Sequence, residues 1–178
     1  MLIALEKKKS NVAEYLLYMW QLEDLFRAQQ LDEASLYNLL ISPLEVEPTK
    51  KAEIWNWYKI ILREIISQDI RESGHRAEIT EIMNELSYLH KTLVSITKDP
   101  KYIDLYSKAK PHLELLKSKS GEANQEDIKT SLSALYGILL LRLKKKEISE
   151  ETKAAMDLIS KMIAYLAASY HKINNVES

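Results

Sequence analysis

Three glycines and four prolines among 178 residues are too few to turn a chain about every 8–12 residues, as an all-β fold requires. Such a chain builds long helices with few connections. The apolar periodicity agrees: Met156, Ile159, Ile163, Leu166 and Tyr170 recur at spacings of three and four, as do Ile54, Trp57, Tyr58, Ile61 and Ile65. Each set is a one-sided helical stripe. With 46% hydrophobic and 29% charged residues, the chain has the make-up of a soluble globular protein, long enough to bury one core. A single all-helical domain over residues 1–178 is expected.

Capping residues divide it. A first helix follows Ser10 or Asn11, with Glu14 as a capping-box partner, and runs to about Gln30. Asp32 caps a short helix that stops before Pro43, and the two-proline segment SPLEVEP forms a surface link. Thr49 then caps a long helix ending at Gly74, and another runs from Arg76 to about Thr97. Asp99 and Pro100 open the next, toward Gly121, with Pro111 inside it and a kink expected near Ser107. Asn124 caps a sixth helix, Ser149 opens a seventh to about Lys172, and the terminal NNVES frays. Short connections make consecutive long helices antiparallel neighbours, so the expectation is a bundle of about six long helices plus one short one.

Composition and motifs exclude much. Zero cysteines remove disulfides, thiolate zinc sites and cysteine nucleophiles, and fit a cytoplasmic location. The start MLIALEKKK places apolar residues before basic ones, the reverse of a secretory signal, and no apolar run approaches the roughly 20 residues of a membrane span. There is no glycine-rich phosphate loop, HExxH, EF-hand loop or GxSxG, and no cofactor is implied. A di-iron bundle needs two Glu-x-x-His pairs; this chain has one, Glu72 to His75, with Gly74 inside it, so no metal site is expected. His75 reads as a solvated helix-end residue. Lysine clusters occur at 7–9 and 144–146, of which the second suits a helix C-terminus; with a net charge of −1 the chain is not expected to take nucleic acid as a partner.

The segments NVAEYLLYMWQLEDLFRA, SGEANQEDIKTSLSALYGILLLRLKKKEISEET and AAMDLISKMIAYLAASYHK resemble a small bacterial family known as domain of unknown function 4924, over nearly the whole chain. The resemblance implies an all-helical bacterial protein with no assigned activity, and hence no catalytic residues to transfer.

Two charges break the apolar pattern. Glu23 falls in the register Val12, Leu16, Met19, Glu23, Phe26, and Arg142 closes the register Ile128, Leu132, Leu135, Leu139, Arg142. A lone charge on a core face is costly, which suggests one buried Glu23–Arg142 pair, with Arg27 as the local rival partner. His90 lies on the stripe of Ile79, Met83, Leu86 and Leu93 and so points inward. At 1.5 Å per residue Glu23, His90 and Arg142 stand about 18, 21 and 27 Å along parallel helices, near enough to converge.

Two function classes follow. The first is a non-enzymatic interaction or structural module, as a homodimer or with a protein partner, motivated by Trp55, Ile60 and Ile66 beside the main stripe and by Leu40, Ile41 and Leu44 in the connecting region. The second is a small-molecule site or enzyme inside the bundle, using Glu23, His90 and Arg142 with Tyr18 or Tyr136. Ten tyrosines against one phenylalanine suit either a pocket or the rim of a core.

Overall fold

The computed structural model describes residues 1–176, with side chains to residue 174. Among these the protein is all-helical: α1 (Leu2–Ser10), α2 (Val12–Ala28), α3 (Glu33–Leu40), α4 (Pro48–Ser67), α5 (Ala77–Lys91) continued by a π-helical turn (Thr92–Ile96), α6 (Pro100–Ser120), α7 (Asp127–Leu143) and α8 (Glu150–Val176). The all-α expectation holds. No described helix is long and apolar enough to cross a membrane.

The chain divides into two compact units, one of Met1–Lys9 with Glu14–Glu81, the other of Ser10–Ala13 with the chain from Ile82 onward. In the first, Leu16, Met19, Phe26, Leu36, Ile41, Ile61, Ile65 and Ile79 are fully or almost fully buried, and Phe26 and Tyr58 meet with ring centroids 6.1 Å apart. In the second, α6, α7 and α8 pack against one another and the π-helical turn packs on α6. There Tyr102, Leu113, Leu132, Ile159, Met162 and Leu166 are fully buried. Covering each such side chain stabilises by about 1.5–3 kcal/mol.

Several caps are those read from the sequence. Asn11 accepts from Ala13 N, Asp32 from Ser35 N, Asp99 from Tyr102 N and Ser149 from Thr152 N. α6 ends at Gly121 with φ +74°. Others differ. The chain begins with an unexpected helix, α1, built from the strong helix formers Leu, Ala, Glu and Lys. α4 takes Pro48 rather than Thr49 as its opening, because proline's fixed φ suits the first helical position. Glu126, not Asn124, holds the N-cap position of α7, with no side-chain cap bond. α8 continues through Val176; Glu177 and Ser178 lie outside the described residues.

The largest departure is at the end of α4, which stops at Ser67, seven residues before Gly74. Ile70 N–H donates to Ile65 O and Asp69 N–H to Ile66 O, with Asp69 at φ +55°. That is a Schellman stop with aspartate in the left-handed position glycine normally takes. Gln30 and Lys145 do the same after α2 and α7, at φ +54° and +53°. An L-residue is strained there, and a carboxylate also opposes the negative end of the helix dipole. Asp69→Gly is therefore expected to raise stability by about 0.5–1 kcal/mol in chemical denaturation.

Candidate functional site

Early termination of α4 frees residues 68–76 to form a loop within the first unit. Arg27 of α2 anchors it, donating from Nε and Nη2 to Ile70 O at 3.3 and 3.2 Å and from Nη2 to Gly74 O, while its Nη1 pairs with Asp24 at 3.0 Å. The loop's last residues reach Glu23. His75 Nδ1 lies 2.7 Å from Glu23 Oε2, and Arg76 N–H donates to Oε1 at 3.1 Å, with Arg76 Nε 3.4 Å from the same oxygen. Glu23 is 0% exposed and Arg76 3%.

The arginine is shared. Its guanidinium pairs with Glu64 of α4 and with Glu78 of α5 at 3.6 Å, and Glu78 accepts from Tyr15 O–H at 3.1 Å and Lys8 Nζ at 2.7 Å. Burial would raise the Glu78 pKa, but these donors outweigh it and hold the carboxyl below its usual range. Burial pushes the Tyr15 phenol well above its ordinary value, and the Glu78 carboxylate adds to that. His75 stacks on Trp20, centroids 4.3 Å apart at 12°. Tyr18, half-buried, hydrogen-bonds Tyr58; burial, and then Tyr18, pushes the Tyr58 phenol up to about 12.

Glu23 is thus buried as its register implies, but its partners are His75 and Arg76. Arg142 is solvent-exposed. The stripe leading to it fails because α7 is buried only at Ile128, Thr130, Ser131 and Leu132, and beyond that point register no longer dictates burial. Arg27 is not the partner of Glu23 either, and His75 is not a solvated helix end. Tyr136 is half-buried on α7. Ile41, read as part of an apolar surface, is core, whereas Ile60 and Ile66 are exposed.

The second unit holds another polar cluster. His90, 9% exposed at the end of α5, points inward as expected, with Nδ1 2.7 Å from Tyr102 Oη and its ring edge-on to Tyr106 at 4.7 Å. Tyr106 O–H donates to Asp127 Oδ2 at 2.5 Å, and the ammonium of Lys117, itself 8% exposed, pairs with Asp127 Oδ1. Burial pulls the His90 pKa below its usual value, against the opposing pull of Asp127, and pushes the Tyr102 phenol far up. Asp127 stays below the usual carboxylate range because its bonds to Lys117 and Tyr106 outweigh the cost of burial.

Lys117 and Asp127 went unnoticed in the sequence. The signal was there for Lys117: Tyr102, Tyr106, Ala109, Leu113 and Lys117 are spaced four, three, four and four along α6, so it is another charge in an apolar register. No group of three or more His, Asp and Glu side chains placed to hold a metal ion occurs among the described residues.

Residues 1–177 match the family model for a domain of unknown function, DUF4924. The chain belongs to the DUF4924 family. No curated protein and no solved structure matches it. Function for this DUF4924 chain must therefore be argued from its own clusters and surfaces.

The His90 cluster sets one pH response. The folded pKa lies below the unfolded value of about 6.5, so the stability His90 contributes is present above about pH 6.5 and is lost as pH falls toward the depressed value. The charged groups acting on it are Asp127, Lys91 and Glu126. Thermal unfolding of the DUF4924 protein is expected to show a falling Tm between about pH 7 and pH 5, and His90→Phe should flatten that slope. Asp127 and Glu78, with depressed pKa values, add losses of the same sign only below about pH 4.

Proposed function

We propose that this protein is a non-enzymatic interaction module that self-associates through the second half of α7. One observation carries the reading. Residues 134–140, Ala-Leu-Tyr-Gly-Ile-Leu-Leu, are all only partly buried, and Leu141 and Leu143 are exposed, Leu143 at 64%. A helix that is apolar on all sides is stable in water only when all its sides are covered, and so long an apolar segment left half-open marks a contact surface.

A second copy is the occupant that suits it best. The helix is free of charge from Ser131 to Leu141, so an identical helix meets it without an unpaired ion. At Gly137 an added Cβ would have nothing within 4 Å, which lets another backbone come close. A two-fold pairing of this face with itself closes the assembly at a dimer. Zero cysteines fit a reducing, cytoplasmic setting for it.

Size-exclusion chromatography with light scattering over a concentration series tests the reading. The expected result is a mass that rises with concentration from 20.6 kDa toward twice that value. A mass fixed at the monomer throughout contradicts it.

A further inference from the structure

The His90 cluster borders a cavity of about 240 Å³ in the second unit, lined among others by His90, Lys91, Lys117, Glu126, Asp127 and Ile128. We propose that this cavity binds a small monocarboxylate, whose oxygens take the Nε2–H of His90, the ammonium of Lys117 and the first amides of α7.

Three donors meet there. Tyr102 is fully buried and, among the described residues, the only hydrogen-bond partner of its hydroxyl is His90 Nδ1. A buried hydroxyl must donate somewhere, so its proton goes to Nδ1. The neutral imidazole then carries its own proton on Nε2, and that N–H has no acceptor among the described residues. Lys117 is the second donor: its ammonium has three protons, one engaged by Asp127, with Glu114 at 3.9 Å. The third is the N-terminus of α7, where Glu126 makes no side-chain cap bond. The first-turn amides of a helix lack intrahelical acceptors and present the positive end of its dipole.

Charge selects the ligand class. Lys117 pairs with Asp127, and Lys91 with Glu126 at 2.6 Å, so the four lining charges cancel. What remains is the partial positive charge of the helix end and two neutral or shared donors, enough for one negative charge. A phosphate dianion would press a second charge against the Asp127 and Glu126 carboxylates.

The test is a two-dimensional proton–nitrogen correlation of the imidazole rings in the uniformly ¹⁵N-labelled full chain, titrated with sodium acetate, sodium butyrate and, separately, inorganic phosphate. Expected are a free His90 in the Nε2–H form and a saturable shift of its nitrogen with acetate and butyrate, the other three histidines staying fixed. His90→Phe, which leaves no donor at that position, should weaken butyrate binding roughly tenfold or more, the loss of one charge-assisted hydrogen bond. No saturable shift at His90 with either carboxylate overturns the proposal. So does a phosphate response equal to that of acetate, or a common drift of all histidines with ionic strength.

Discussion

Arg76→Met is expected to cost roughly 3–5 kcal/mol of unfolding free energy, and Arg142→Met no more than about 0.5 kcal/mol. The first change strips the guanidinium from Glu23, a carboxylate with no solvent exposure, and leaves it only His75 and one backbone amide. The second removes an exposed charge from α7. Glu23→Leu should also be costly, since it orphans the buried Arg76 amide and takes from the guanidinium one of its three carboxylates. In a double-mutant cycle Glu23 and Arg76 should couple by more than about 1 kcal/mol, while Glu23 and Arg142 add within about 0.5 kcal/mol. Coupling will fall short of full recovery because Arg76 also holds Glu64 and Glu78. Arg142→Met proving as costly as Arg76→Met would overturn the assignment.

The second large effect concerns association. Ile138→Lys should raise the dimer dissociation constant by roughly a hundredfold or more. A symmetric interface meets each substitution twice, and an unpaired ammonium in an apolar contact costs more than one factor of ten per copy. Monomer stability should change less than association does, because the side chain is only partly buried in the single chain and a lysine stem can carry its ammonium out to water. A variant that keeps the wild-type dissociation constant would remove α7 from the interface.

Helix content was legible because the stripes and most caps are local signals: Asn11, Asp32, Asp99, Gly121 and Ser149 all sit where their chemistry places them. The end of α4 was not, since its stop uses Asp69 in a left-handed conformation instead of glycine. That error carried forward. A helix that runs to Gly74 puts His75 at a solvated helix end, which leaves Glu23 only Arg27 or the distant Arg142 as a cation. The inward charge itself was legible, and the same register test applied to α6 would have found Lys117. On α7 the test misled, because a register reports burial only where a helix is packed, and there the apolar residues run on past the packed part.

Amide hydrogen exchange followed by mass spectrometry at several protein concentrations probes the α7 face directly. Peptides spanning residues 133–143 should exchange slowly in concentrated solution and progressively faster on dilution, while peptides from α8 keep constant protection. Uniform protection of residues 133–143 at every concentration, in a species that scatters as a monomer, would contradict association through α7.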